Sequence, residues 1–285
     1  MRPSRNQGTI HDVASYRADL TPLNKNNGRV KDARKLARRA FRAERRLFLA
    51  DGPKAVEGAL GVPGCVVEVF ATVAATEQYA ALREAAPAWT VLDDQALASL
   101  SDAVTPQGVV GLCRFVDRPL EHVLAPDDQT LRLVALCADV RDPGNAGTVI
   151  RTADAAGADA VVLTGHSVDA YNPKTVRATV GSLFHLPVAL EPDPATAVAR
   201  LQAAGLTVLA ADGTGELGLD DAIDDGLLAR PTAWLFGNEA WGLPPELAAL
   251  ADHRVAIPIH GRAESLNLST AAAVCLYASA RAQRT

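Results

Sequence analysis

Leu133-Val134-Ala135-Leu136-Cys137-Ala138 is an unbroken apolar run that leads, through Asp142-Pro143-Gly144-Asn145-Ala146-Gly147, into Thr148-Val149-Ile150-Arg151. Six apolar residues without alternation suit a strand buried on both faces. The Gly- and Asn-bearing loop then opens a helix expected over residues 146–156. The same succession recurs downstream. Strands are predicted at 160–163, 188–190, 207–211, 233–236 and 255–257. Helices are predicted near 173–183, 194–204, 244–251 and 268–281. Continuous apolar strands separated by helices specify a parallel sheet covered on both faces, whose ligands gather at the carboxyl ends of the strands.

Upstream the pattern changes. Residues 29–46 read as one helix, with Ala33, Leu36, Ala37, Ala40 and Phe41 at three- and four-residue spacing. Strands are expected at 47–50, 66–72 and 109–116, with a short helix ending at residue 60. The class is therefore α/β throughout. The expected organisation is a flexible basic arm over 1–28, a small α/β domain over 29–116, a linker over 117–132 and the parallel-sheet domain over 133–285. Pro119, Pro126, Glu121, Asp127 and Asp128 mark the linker.

The net charge of −5 is unevenly spread. Residues 1–46 hold thirteen Arg or Lys against four Asp or Glu, so the rest of the chain carries the acidic excess. A basic segment on an acidic body suits a polyanionic partner, although a solvated helix face would give the same count. Arg34, Lys35, Arg38, Arg39, Arg42 and Arg45 are the candidate contacts to nucleic acid. Cys65, Cys113, Cys137 and Cys275 lie far apart in apolar segments and are expected to be buried, unpaired thiols. No apolar run is long enough to span a membrane and no signal sequence is evident, so a cytoplasmic protein is expected.

Two further loops follow predicted strands: Leu235-Phe236-Gly237-Asn238-Glu239-Ala240-Trp241-Gly242-Leu243-Pro244, and Ile257-Pro258-Ile259-His260-Gly261-Arg262-Ala263-Glu264-Ser265-Leu266-Asn267-Leu268-Ser269. With the first loop they would bring Asn145, Arg151, Glu239, Ser265 and Asn267 to one sheet edge, beside glycines that let a ligand approach the backbone. The G-x-G-x-x-G spacing of a dinucleotide site is absent, since only Gly144 and Gly147 are available. Trp241 is expected in the core, and His260 and Glu264 are read as loop residues.

In this order the three loops resemble the signature motifs of the SpoU (TrmH) family of RNA 2′-O-ribose methyltransferases. Asn145-x-Gly147-x-x-x-Arg151 is similar to the first, Phe236-Gly237-Asn238-Glu239-x-x-Gly242-Leu243 to the second, and Ile257-Pro258 with Ser265-Leu266-Asn267-x-Ser269 to the third. Asn172-Pro173-Lys174-x-x-Arg177-Ala178 resembles a further recurrent family segment. The resemblance implies a trefoil-knotted, SPOUT-type domain that binds S-adenosylmethionine, preceded by a small α/β RNA-binding domain. It implies cofactor contacts from Leu235, Gly237, Asn238, Gly242, Leu243, Ile257, Pro258, Ile259, Leu266 and Ser269, with the adenine in a slot near Leu235 and Leu243. It assigns Asn145, Arg151, Glu239, Ser265 and Asn267 to the acceptor ribose, Arg151 anchoring a phosphate or serving as base. It also implies a homodimer and no need of metal. The layout is similar to actinomycete members that methylate 23S rRNA and confer resistance to ribosome-targeting antibiotics of the thiostrepton and avilamycin type. A tRNA methyltransferase, an inactive RNA-binding protein and a dinucleotide enzyme are the alternatives.

Overall fold

The computed structural model describes residues 21–125 and 130–284, which build two sheets. The first is mixed. Its strands are β1 (Leu47–Asp51), β2 (Val66–Thr72), β3 (Trp89–Leu92) and β4 (Val109–Arg114), in the order β1-β4-β2-β3. All its pairs are antiparallel except β2 with β3. The second sheet is wholly parallel. It comprises β5 (Leu133–Ala138), β6 (Ala160–Thr164), β7 (Val188–Glu191), β8 (Thr207–Ala211), β9 (Leu217–Gly218), β10 (Thr232–Phe236) and β11 (His253–Ala256). Their order is β7-β6-β5-β10-β8-β11-β9.

This order positions the site. From β5 the chain builds outward to β6 and β7, crosses to β8, and later returns to insert β10 between β5 and β8. Phe236 then lies beside Cys137, so the loops leaving β5 and β10 emerge as neighbours at the carboxyl edge. All six residues of β5 are buried, as an unalternating strand between two helical layers must be. Burial also pushes the Cys137 thiol up to about 12.

The helix after β5 runs from Pro143 to Ala156. Asp142 caps it by accepting the Asn145 N–H at 2.8 Å, and Gly157 ends it at a φ of 72°. A Cβ on Gly147 would lie 2.6 Å from both the Ala178 methyl and the Thr175 carbonyl. That glycine, expected beside a ligand, instead lets this helix press against the one over Pro173–Thr179. After β11, residues 257–267 carry the chain back to a final helix, Leu268–Ala282, which packs on the Pro143–Ala156 helix, β10 and β5. Trp234 donates to Ser279 Oγ at 2.8 Å, and Gln283 reaches the carbonyls of Arg132 and Arg230.

The two sheets meet through aromatic packing. Phe115 stacks on Tyr171 at 3.7 Å, with Phe48 against both rings. The Tyr171 hydroxyl donates to Asp117 at 2.6 Å and accepts the N–H groups of Val116 and Asp117. Beside it the buried Arg42 pairs with Asp169 at 2.6 Å.

Several expectations need correction. The single helix over 29–46 is broken into Gly28–Arg34, a 3-10 turn at Lys35–Ala37, and Arg39–Arg45, with Arg38 extended. The break lets Arg42 donate back to the Leu36 and Ala37 carbonyls of the 3-10 turn. The two strands β3 and β9 were not anticipated. Within 117–132, residues Leu120–Leu124 form a helix whose Leu120 and Val123 are buried, while 126–129 lie outside the described residues. So does the expected arm as far as residue 20. All four cysteines are free and buried, as anticipated. Among the described residues no helix is long and apolar enough to cross a membrane.

Candidate active site

Three loops of the carboxyl edge are tied together by one carboxylate and two side-chain amides. Glu239, in the loop after β10, accepts the backbone N–H groups of Arg141 and Asp142 at 3.2 and 3.1 Å, and the Asn145 side-chain amide at 3.3 Å. Asn145 in turn accepts from the Asn267 amide at 3.1 Å. Asn267 caps the final helix, its oxygen taking the Ser269 N–H at 2.9 Å and the Ser269 hydroxyl at 2.6 Å. The neighbouring Asn238 donates to the Asp139 carbonyl at 2.7 Å, pinning the β10 loop to the end of β5. Three of the five predicted polar residues thus form one continuous network. The loop that carries Glu239 doubles back at Asn238 and Gly242. A Cβ on Gly237 would lie 2.4 Å from the Gly242 backbone, so no larger residue fits there.

Beside the network lies a cleft of about 300 Å³. Its apolar wall comes from Phe236, Val255, Ile257, Ile259, Leu266 and Leu268, and its rim from Gly237, Asn238, Gly242 and Ser265. Asp212, Glu239 and Glu264 also line it, with no Lys or Arg among the lining residues. Such a cleft favours a ligand with apolar surface and positive charge.

Of the predicted cofactor residues, Gly237, Asn238, Gly242, Ile257, Ile259 and Leu266 line this cleft; Leu235, Leu243, Pro258 and Ser269 do not. Successive strand residues point to opposite faces, so Leu235 is buried in the cluster of Val134, Leu136 and Val208 while Phe236 faces the cleft. Leu243 packs on that same cluster. The cleft's apolar wall is thus built by Phe236, Val255 and Ile257, with Leu235 and Leu243 packed elsewhere. Sequence reading missed Asp212 and Gly213. Their signal was available, since Asp212-Gly213-Thr214-Gly215 is a polar, glycine-bearing loop directly after a predicted strand.

Arg151 lies on the exposed side of the Pro143–Ala156 helix, and among the described residues its guanidinium has no hydrogen-bond or ion-pair partner. Ser265 is exposed on the rim. Trp241, expected in the core, is instead 54% exposed at the tip of the β10 loop, with the Arg141 guanidinium 5.0 Å from its ring. The doubling back of that loop carries its tip away from the sheet. Of the expected nucleic-acid contacts, Lys35, Arg38, Arg39 and Arg45 are exposed and Arg34 is half-buried. Arg42 is corrected to a structural role, since at 2% exposure it serves Asp169 and two carbonyls.

A doubly covered parallel sheet whose carboxyl-edge loops close over an acidic, apolar-walled cleft defines an α/β enzyme with its site at the strand ends. The chain belongs to the SpoU rRNA Methylase family, whose sequence profile matches residues 132–277. The profile of the MRM3-like substrate binding domain matches residues 27–111. The 23S rRNA (guanosine(2553)-2′-O)-methyltransferase RlmP of Bacillus subtilis is 35% identical over 257 residues, 88% of this chain and 95% of the relative. The 23S rRNA (uridine(2479)-2′-O)-methyltransferase of Streptomyces viridochromogenes is 42% identical over 141 residues, 49% of each chain. The crystal structure of the SpoU methyltransferase AviRb from Streptomyces viridochromogenes, in complex with the cofactor AdoMet, superposes with a TM-score of 0.79 at 28% identity. It covers 90% of this chain and 99% of that one. The parallel-sheet domain behind a smaller mixed-sheet domain is the architecture the motifs implied.

Proposed function

We propose that this chain transfers the methyl group of S-adenosylmethionine to a ribose 2′-hydroxyl of 23S rRNA, acting in the cytoplasm as a homodimer. The observation that carries this reading is the Glu239–Asn145–Asn267 network, which holds three motif loops together beside the acidic cleft. The residues present suit the cofactor: Phe236, Val255 and Ile257 offer an apolar wall, and Asp212, Glu239 and Glu264 complement a cationic sulfonium and ammonium. Bound there, S-adenosylmethionine supplies an electrophilic methyl group.

The chain's own residues serve the acceptor. Transfer is an in-line displacement, so the hydroxyl must be aligned and relieved of its proton as it attacks. Arg151 is free to hold an RNA phosphate and stabilise the developing alkoxide, roles that need only its fixed charge. Asn145, Glu239, Ser265 and Asn267 orient the ribose and the loops that bind the cofactor. The knot implied by the motifs is consistent with the return of residues 257–267 to a helix seated beside 219–229 and against β5. The homodimer reading draws on exposed Val274 and Tyr277, one turn apart on the final helix.

The test is methyl transfer from labelled S-adenosylmethionine to unmodified 23S rRNA transcribed in vitro, with tRNA in parallel and the product ribose mapped. Labelling of a single 23S nucleotide is the expected result; labelling of tRNA alone would overturn the substrate assignment. The two named relatives modify different nucleotides, so the mapped position also decides whether methylation protects a drug site on the ribosome.

A further inference from the structure

A second concavity, of about 420 Å³, lies between the two sheets and ends at Pro143, the first residue of the helix that carries Asn145 and Arg151. Arg34 and Ser99 line it from the small domain, Asn172 and Lys174 from the large one, and Asp102 stands between them. Lys174 is exposed, and its ammonium has no partner among the described residues. One turn further along the same helix, Arg177 makes only a long contact, 3.5 Å, to Asp102. Arg34 Nε and Arg177 Nη1 are both buried without a hydrogen-bond partner. Buried N–H groups without an acceptor are rare in folded proteins and mark where one belongs. The Asn172-Pro173-Lys174-x-x-Arg177 segment has no part in the network of the three loops.

We infer that this inter-sheet concavity is the track of the RNA backbone: Arg34, Lys174 and Arg177 hold a phosphodiester of the acceptor strand, and Asp102 occupies Arg177 until the RNA displaces it. The inference rests on the RNA-methyltransferase reading for the nature of the ligand. Arg34 and Lys174, one from each domain, line an opening that leads to the helix of the acceptor-side residues, and Arg177 stands behind it, in contact with the lining residue Asp102. Ser99 already orients Arg34 by accepting from its guanidinium at 2.8 Å. A phosphate beside Lys174 would offer Arg177 a charged acceptor in place of its long contact to Asp102.

Two substitutions of opposite sign test it in the full chain. Lys174→Gln removes an exposed charge with no internal partner, so folding is preserved. Its dissociation constant for a 23S rRNA fragment should rise about tenfold. The slope of log K against log salt should become shallower by roughly 0.7 per lost contact to a single strand. In turnover KM for RNA should rise with kcat unchanged, and S-adenosylmethionine affinity should not move. Asp102→Asn releases Arg177 and should tighten RNA binding several-fold. An unchanged salt slope and KM in Lys174→Gln, or weaker binding in Asp102→Asn, overturns the track, as does failure of the unaltered chain to bind the RNA. Binding is read without turnover. A chain that binds RNA through these residues yet methylates none would refute the catalytic reading and uphold the track.

Discussion

Asn267 donates its side-chain amide to the side-chain oxygen of Asn145, 122 residues earlier, at 3.1 Å. The same Asn267 caps the final helix with its oxygen. Asn267→Asp separates the two roles, because it keeps the capping oxygen and loses the donor. Its thermal stability should stay within about 1 kcal/mol of the unaltered chain. Methyl transfer should fall by about 100-fold as the loops lose register. Single-turnover rates beside a melting curve check this; a variant that turns over at full speed removes the network from the mechanism.

Arg151→Ala should lower transfer by about 100- to 1,000-fold, because one charged donor to the acceptor is lost. S-adenosylmethionine affinity, read by calorimetry, should hold, since Arg151 is absent from the cleft lining. Arg151→Lys should recover little if a bidentate phosphate contact matters. A parallel fall in cofactor affinity would place this side chain in the other pocket.

Arg42→Ala should destabilise the fold by about 3–5 kcal/mol, because it leaves the Asp169 carboxylate buried without its partner. Arg38, Arg39 and Arg45 lie on the surface nearby. Changing those three to Gln should leave denaturant midpoints unchanged, weaken RNA binding and flatten its salt dependence. Comparing midpoints with binding isotherms distinguishes the structural arginine from the surface ones.

The thiols give a pH signature. Burial raises Cys137 to about 12, so at pH 8 only about one part in ten thousand is thiolate, and native labelling by a maleimide should be negligible. An acid whose folded value is raised contributes stability below its unfolded value, and that contribution is lost as pH rises towards the folded one. Cys275 is shifted upward by burial too. Melting temperature should therefore decline as pH is raised from about 9 towards 12. Cys65, buried like the others but with its thiol lowered by hydrogen bonding with Cys113, should be the first thiol labelled.

Most of the parallel sheet was legible because its strands are apolar on both faces; 133–138 and 207–211 end where predicted. The short β9, two residues long, carries too little pattern to read. The broken basic helix was misread because its periodicity continues through Arg38. Only a contact to Asp169, 127 residues away, explains why the chain bends there. At the site, the motif order brought Asn145, Glu239 and Asn267 together. Alternation along β10 decides between Leu235 and Phe236, and a one-residue offset at the strand end reverses that choice. Gly147 looked like a ligand-facing glycine because close approach to a helix and to a cofactor leave the same mark in sequence.

Because the helix over Leu268–Ala282 supplies Asn267 and rests on the helix of Asn145, the order of synthesis matters. During translation, the first motif leaves the ribosome more than a hundred residues before the segment that completes it. A nascent chain therefore lacks the complete Glu239–Asn145–Asn267 network until that last segment has emerged and folded. A premature stop early in the final helix would leave both sheets and Asn267 encoded but remove the helix that Asn267 caps and that packs on the helix of Asn145.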